Sequence, residues 1–327
     1  FISDPQTRLA KKLVELTHGS LTRCAIVNSG TEAVESALKL VRLATGKHRV
    51  ICMRGAWHGF SLGALSISEP SLCKSFTPLL GGMVQVPYGD LDAVEQAINC
   101  ETGAVIVEPI QAESGAVVPP EGYLRDLAIL CRRSNVVLIF DEIKTGMGKT
   151  GRLFACEHED VWPDILLIGK ALGGGVMPIG GMLARDHLWN RFGLSFPMSS
   201  SSAAGNAPAC AAALSVLEII QSDDMCLRAE KQGAILIAGL RALVHEFDSV
   251  LRGVSGRGLL LALHVDSMKT ASTVISECAD SGLLLMTAFC DRNRLIIEPP
   301  LSISEEQIWL VLGVLREVIS RIASRVG

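Results

Sequence analysis

Up to about residue 206, short apolar runs alternate with helical patterns. The runs that indicate buried strands are residues 24–27, 50–53, 104–107, 136–140 and 165–168. Apolar positions at helical spacing lie between them, most clearly over residues 32–43 and 123–133. Buried strands separated by helices are typical of α/β proteins with a mostly parallel sheet. We therefore predict such a central sheet, flanked by helices, and expect its ligands beyond the carboxyl ends of the strands.

The pattern changes at about residue 207. A long helical stretch continues to residue 243, and shorter apolar runs follow at 259–263, 283–286 and 295–297. A closing helix is predicted from Glu305, because Ser304 and Gln307 form the signature of a capping box in front of helically spaced apolar residues. We predict a large domain over residues 1–222 and a smaller C-terminal α/β domain over residues 223–327.

Composition narrows the classes of partner. The chain has 327 residues and a formal net charge of −4 without a basic tract, so nothing indicates binding to nucleic acid or to an anionic membrane surface. No apolar run approaches the roughly 18 to 20 residues of a membrane helix. Ten scattered cysteines at no metal-binding spacing predict a reducing compartment, the cytoplasm, and no metal site. Small molecules are the expected partners.

Two charged residues directly follow predicted strands. Asp141 follows the run 136–140, and Lys170 follows the run 165–168 after one glycine. A carboxylate at a strand end needs a cation, such as a protonated pyridine nitrogen, although it often only caps a turn. A lysine beside a cationic cofactor loses its proton more easily and can form an imine, although a single lysine is more often simply solvated.

Two further segments lie just after predicted strands. Ser29, Gly30 and Thr31 stand at the start of a predicted helix, where free backbone N–H groups can hold a phosphate. The alternative is that Ser29 or Thr31 only caps that helix. Trp57 could lie flat on a planar cofactor, while core packing explains a single tryptophan more often. His58 could act as a base, but without a visible partner it is more often structural.

Together these motifs resemble the class III aminotransferases, which use pyridoxal phosphate (PLP) and have the fold type I architecture. The matching motifs occur in the order of the family, at residues 29–33, 57–59, 108–115, 140–142, 145–151, 163–164, 169–175 and 205–206. Residues 154–159, 173–180 and 298–301 are especially similar to putrescine and related diamine aminotransferases. The resemblance implies a fold type I transferase that catalyses transamination. From the resemblance we also expect that the N-terminal segment of the family is missing before Phe1.

The resemblance also implies roles for individual residues. Lys170 would carry the cofactor as an imine, and Asp141 would pair with the pyridine nitrogen. Trp57 and Ile143 would pack on the two faces of the ring. Ser202 would reach the phosphate of a neighbouring subunit, which implies a homodimer with shared active sites. The remaining residues expected near the cofactor are Ser29, Gly30, Thr31, His58, Glu108 and Lys144, and those expected near the substrate are Phe60, Glu113 and Ile296.

Some departures from the family pattern concern the substrate. Phe60 and Ile296 occupy the positions of two family arginines that bind a substrate carboxylate, whereas Arg294 lies two residues before Ile296, on the same strand face if the register holds. Burying a carboxylate without a counter-ion would cost several kcal/mol. We therefore predict a primary amine or diamine donor with a keto or aldehyde acceptor, and a hydrophobic substrate.

Other departures concern the cofactor. Lys144 replaces the family glutamine that contacts the phenolic oxygen of the ring, so it could bind that oxygen or lower the pKa of the imine. Ala203 and Ala204 replace a family Phe-Gly pair in the shared phosphate loop. Two alternatives stay open. An aminomutase or a decarboxylation-coupled transfer would use the same lysine and aspartate, and a non-catalytic scaffold domain would explain these departures.

Overall fold

The computed structural model describes residues 3–192 and 201–326. Its centre is a sheet of seven strands, β1 (Arg23–Val27), β2 (Arg49–Met53), β3 (Met83–Val86), β4 (Thr102–Val107), β5 (Val137–Asp141), β6 (Ile165–Ile168) and β7 (Gly180–Ala184). Their order in the sheet is β1-β7-β6-β5-β4-β2-β3. Strand β7 is antiparallel to β1 and β6, and the other neighbours are parallel. The predicted mostly parallel α/β sheet is confirmed.

Helices flank this sheet. They are α1 (Asp4–Glu15), α2 (Gly30–Thr45), α3 (Leu62–Ser66), α4 (Pro70–Cys73), α5 (Leu91–Ala97), α6 (Tyr123–Arg133), α7 (Asp186–Phe192) and α8 (Ala207–Ser222). Side chains alternate between the faces of β5, so Leu138 and Phe140 join one buried cluster while Ile139 joins the other. A strand covered on both faces must be apolar at every position, which explains the continuous apolar runs of the sequence.

The C-terminal part forms a second, antiparallel sheet with its own core. Its strands are β8 (Leu251–Arg257), β9 (Leu260–Val265), β10 (Met286–Thr287) and β11 (Arg294–Ile297), in the order β10-β11-β9-β8. They pack with α9 (Met225–Glu246), α10 (Met268–Asp280) and α11 (Glu305–Val326). The long helical stretch of the sequence is thus two helices, α8 and α9. The domain boundary between residues 222 and 223 remains a prediction.

The cap of α11 has the predicted geometry. The backbone N–H of Gln307 donates to Ser304 Oγ at 3.2 Å, and the backbone N–H of Ser304 donates to Gln307 Oε1 at 2.9 Å. This reciprocal pair satisfies two N–H groups that have no partner inside the helix.

In the described part of the chain, none of the helices is both long and apolar enough to cross a membrane.

Three strands, β3, β7 and β8, are absent from the prediction. Strand β7 begins with Gly180 and Gly181, and glycine weakens a strand pattern. A side chain at Gly180 would overlap the carbonyl oxygen of Ser29, so the close approach of two backbones requires glycine there. The predicted run 283–286 was wrong in extent, because the strand is only Met286–Thr287 and Leu284 is 84% exposed.

Candidate active site

One cavity of about 150 Å³ collects most of the predicted site residues at the carboxyl ends of the parallel strands. The predicted residues that line it are Ser29, Gly30, Thr31, Trp57, His58, Phe60, Glu108, Glu113, Asp141, Ile143, Lys144 and Lys170. Each follows a strand or opens a helix, as expected for a parallel sheet whose strand ends converge on one edge. The remaining two predicted residues, Ser202 and Ile296, lie elsewhere.

Asp141 ends β5 and is buried. Its Oδ2 atom lies 2.7 Å from His58 Nδ1, and its Oδ1 atom accepts the backbone N–H of Ile143 at 3.0 Å. Burial lowers the pKa of His58, but the hydrogen bond and charge of Asp141, together with the charge of Glu108, outweigh it and raise that pKa. His58 therefore has a clear structural partner, and Asp141 is fixed from two sides.

Lys170 follows β6, with only Gly169 between them. Its φ of 42° lies in the left-handed region, where a lysine is strained, and such strain often marks a functional site. The side chain is accessible from the cavity, yet burial of its amine and the charge of Lys144 lower its pKa. Asp141, Glu113 and Glu108 act in the opposite direction. A lysine whose pKa is lowered is more often unprotonated and is therefore suited to nucleophilic attack.

The segment 29–31 begins α2. Ser29 Oγ accepts the backbone N–H of Glu32 at 3.2 Å, so Ser29 does cap the helix. The backbone N–H of Asn28 donates to Glu32 Oε2 at 2.8 Å and holds the turn. The first turn of a helix also presents N–H groups that have no acceptor within the helix. Gly30 and Thr31 line the cavity at this point, so the two roles proposed for the segment are compatible.

Two apolar side chains form walls of the cavity. The Trp57 ring makes edge contacts with Phe60 and Phe289, with centroids 4.8 Å and 5.4 Å away. The backbone N–H of Trp57 donates to Glu108 Oε1 at 2.9 Å, and burial raises the pKa of Glu108 to about 7. Ile143 packs against Gly30, where an added Cβ would lie 2.8 Å from it. Phe289 was not predicted as a site residue. The one feature that could have indicated it is an aromatic residue shortly after an apolar run.

Lys144 is held by two carboxylates. Its Nζ atom lies 2.8 Å from Glu298 Oε2 and 3.4 Å from Glu113 Oε1. Burial lowers the pKa of Lys144, but the two glutamates, with Glu298 the stronger, outweigh burial and raise it. Glu298 was not predicted as a site residue, although it directly precedes Pro299 and Pro300 in a motif that carried the family resemblance.

The structure does not place Ile296 on the cavity. In β11 it pairs with Ala262 and is 6% exposed, and its side chain packs in a small apolar cluster with Ala112 and Ala288. Arg294 lies on the same face of the strand, but its side chain packs over Gly115 and its Nε atom lies 2.9 Å from Asp291 Oδ2.

Two other predicted residues lie at the margin. Phe60 is 73% exposed beside Trp57 at the mouth of the cavity, and its backbone N–H donates to Thr31 Oγ1 at 3.3 Å. Ser202 is exposed and does not line the cavity of its own chain. The neighbouring Ser201 binds Asn28 Nδ2 at 2.9 Å, which ties this turn to the segment before α2.

The residues present fit the expected cofactor. A buried carboxylate for a pyridine nitrogen and a lysine with a lowered pKa line one cavity with a helix N-terminus and two apolar walls. His58 Nε2 is buried and has no hydrogen-bond partner within residues 3–192 and 201–326. In the same part of the chain, no arginine lines the cavity.

The chain is similar to proteins of known family and structure. The family model for aminotransferase class-III matches residues 1–319. The structure of ornithine aminotransferase from Toxoplasma gondii is similar with a TM-score of 0.92 and 32% sequence identity, over 99% of this chain and 78% of that one. Acetylornithine aminotransferase from Elizabethkingia anophelis is similar with a TM-score of 0.82 and 31% identity, over 98% and 79%. The PLP-bound internal aldimine form of an amine transaminase from an uncultivated Pseudomonas species is similar with a TM-score of 0.89 and 26% identity, over 98% and 82%.

Proposed function

Because this chain belongs to the class III aminotransferases and is a PLP-dependent enzyme of transamination, we propose that its amino donor is a primary amine or a diamine. The acceptor is a keto or aldehyde compound, and the substrate has an apolar body. Bound PLP supplies the electron sink that stabilises negative charge at the substrate carbon. The protein supplies the groups that hold the cofactor and move protons.

The observation that supports this donor class is the absence of a carboxylate-binding arginine among the described residues of the cavity. Phe60 stands where relatives of the ornithine type have an arginine, and Ile296 is turned into an apolar cluster. Arg294 is already paired with Asp291. Lys144 lines the cavity, but Glu298 and Glu113 already hold its charge. A substrate carboxylate would therefore lose its hydration without gaining a free cation, which costs several kcal/mol, whereas an amine with an apolar body avoids that cost.

The residues of the chain take the following proposed roles. Lys170 forms the covalent link and carries the proton to and from the substrate carbon. Asp141, held by His58, stabilises a proton on the pyridine nitrogen. Trp57 and Ile143 would pack against the ring and hold its orientation, and the first turn of α2 would hold the phosphate. Glu108 and Glu113 lie on the substrate side.

We also propose a homodimer in which Ser202 completes the phosphate site of the partner. Its exposure outside the cavity of its own chain is compatible with this role. Size-exclusion chromatography with light scattering tests the oligomeric state, and a monomer with full cofactor binding would contradict the proposal. Location in the cytoplasm remains a prediction from the ten cysteines, all of which are free.

The donor class is tested by the first half of the reaction, in which a donor alone changes the visible absorption of the bound cofactor. A short aliphatic monoamine and a diamine are compared with glutamate at equal concentration. We expect the amines to react at least about tenfold faster than glutamate, and Phe60→Arg to narrow that difference. Faster reaction with glutamate would contradict the proposed donor.

The same experiment distinguishes transamination from an amino shift within one molecule. Without an acceptor, transamination stops after one equivalent of product per active site. Continued turnover of the amine under these conditions would instead indicate an aminomutase.

A further inference from the structure

Lys144 brings a second amine into the cavity that contains Lys170. It is the third residue after Asp141, at the carboxyl end of β5, whereas Lys170 follows the neighbouring strand β6. Two ammonium groups in one small cavity repel each other, so each one disfavours the charged form of the other. Which of them keeps its proton depends on the partners that each has.

The partners of Lys144 are carboxylates. Glu298 comes after β11 in the C-terminal part, Glu113 lies after β4, and their Oε2 and Oε1 atoms are 2.8 Å and 3.4 Å from Lys144 Nζ. The three side chains are 20% exposed or less. Charges that are largely withdrawn from solvent are screened less by salt than surface pairs. Lys144 is therefore a fixed cation, and its pKa is raised by the two glutamates in spite of burial.

Lys170 has the opposite balance. Burial lowers its pKa most, and the charge of Lys144 adds to that effect. The carboxylates of Asp141, Glu113 and Glu108 face the same amine and act against it. A neutral side chain at position 144 would leave these carboxylates without the opposing cation.

We propose that Lys144, held between Glu113 and Glu298, is a positioning residue that keeps the Lys170 nitrogen unprotonated by disfavouring a second cation in the cavity. An ammonium nitrogen has no lone pair, so it can neither bond to a carbonyl carbon nor accept a proton from substrate. The proposal rests on the PLP-dependent activity of the family and not on the identity of the donor.

The test uses the holoenzyme without any donor. The visible absorption of bound PLP changes with the protonation of the nitrogen at Lys170, and the midpoint of this change is measured against pH. For Lys144→Gln we expect the midpoint to rise by about one pH unit, the size of effect expected from removing a neighbouring charge. Lys144→Arg keeps the charge, and its midpoint is expected to return to that of the unaltered enzyme.

Lys149→Gln is the matched control. Lys149 lies in the same loop, but its Nζ atom donates to the carbonyl oxygen of Pro299 at 2.7 Å. Lys149 does not line the cavity, although Glu298 and Lys144 act on its charge. We therefore expect its substitution to move the midpoint much less than Lys144→Gln does. An unchanged midpoint in Lys144→Gln would overturn the proposal. An equal rise in Lys144→Gln and Lys144→Arg would also overturn it, because the effect would then come from shape and not from charge.

A second measurement covers a variant that does not retain PLP. The pH dependence of acetylation of Lys170 by acetic anhydride is followed by peptide mass spectrometry in protein freed of cofactor. The same upward shift is expected in Lys144→Gln, and equal profiles would overturn the proposal. Since no amine donor is used, failure here is distinct from failure of the proposed donor class.

Discussion

The Nδ1 atom of His58 lies 2.7 Å from the Oδ2 atom of Asp141, and both side chains are buried. His58 follows β2, whereas Asp141 is the last residue of β5, and the other Asp141 oxygen accepts the backbone N–H of Ile143. A carboxylate fixed at both oxygens has little freedom to turn away from a ligand. The hydrogen bond thus links the Trp57–His58 segment to the carboxylate that is proposed to bind the pyridine nitrogen.

His58→Leu removes this hydrogen bond and leaves the Asp141 carboxylate with one partner fewer. A hydrogen bond to a charged group contributes about 1.5 to 3 kcal/mol, so we expect kcat/KM to fall by roughly 10- to 100-fold. His58→Asn retains a donor and is expected to lose less. Steady-state kinetics with circular dichroism as a check of folding would measure both. Equal activity of His58→Leu and the unaltered enzyme would contradict a supporting role for His58.

Lys170→Ala removes the proposed covalent link. We expect transamination to fall by at least about a thousandfold, because both the nucleophile and the proton carrier are lost. After borohydride reduction, peptide mass spectrometry is expected to find the cofactor on the peptide with Lys170 and on no peptide of the variant. Lys149→Ala serves as the control and is expected to retain the attached mass. Attachment at another lysine would refute the assignment.

Replacing a helical glycine by alanine is expected to change the free energy of unfolding in opposite directions at two positions. In α9, a side chain at Gly233 would overlap the backbone of Gly258, so Gly233→Ala is expected to lower the free energy of unfolding by about 2 to 3 kcal/mol. In α11, nothing lies within 4 Å of a Cβ at Gly313, so Gly313→Ala is expected to raise it by about 0.5 to 1 kcal/mol. Denaturant unfolding measures both values. A loss of stability of similar size in both variants would mean that helix propensity and packing had been misjudged.

Two histidines are expected to make the folded protein less stable as the pH falls from about 6.5 to about 4, against the opposite effect of buried carboxyls such as Glu108, whose pKa is raised. Burial lowers the pKa of His158 and of His264 to about 4 in each case, with help from Arg257 and Arg294 respectively. In the unfolded chain a histidine has a pKa near 6.5, so the unfolded state binds more protons in this window. Both rings are partly accessible, and we expect each to account for only about 1 kcal/mol of the decrease.

The corresponding variants are His158→Gln and His264→Gln, with the exposed His245→Gln as the control. Denaturant unfolding at several pH values would measure the slope of stability against pH. Between pH 6.5 and pH 4, we expect each of the first two variants to lose less stability than the unaltered protein, or to gain more, and the third to match the unaltered protein. If stability depended on pH in the same way in all three variants, the acid sensitivity would come from groups other than His158 and His264.

The apolar pattern of the sequence located part of the cavity, and the family resemblance supplied further residues such as Glu108, Ile143 and Lys144. Asp141, Lys170 and the segment around Trp57 each follow an apolar run, and the ends of parallel strands meet at one edge of a sheet. Local pattern and a general rule of sheet geometry therefore brought these residues together. Their hydrogen bonds were not predictable, since the His58 partner comes from a strand far along the chain.

The remaining features depend on contacts between distant segments. Glu298 and Phe289 reach the site from the C-terminal part, and the sequence signals beside them do not show that they approach the cavity. Ile296 was assigned to the substrate side by position, but the register of β11 directs it into an apolar cluster. Strand β7 was missed because glycine weakens a strand pattern, and Gly180 is required by a close backbone contact with Ser29.

The position of β1 has a consequence for how the protein is made. At the edge of the large sheet, β1 has β7 as its neighbour, with Val27 opposite Gly180. The turn that opens α2 directly follows β1. This turn therefore cannot take its final position until β7 has been synthesised and can pair with β1. Pairing between such distant segments slows folding, and the strand that is synthesised first stays unpaired until then. The first part of the site to be synthesised therefore cannot be completed until a much later segment has been synthesised.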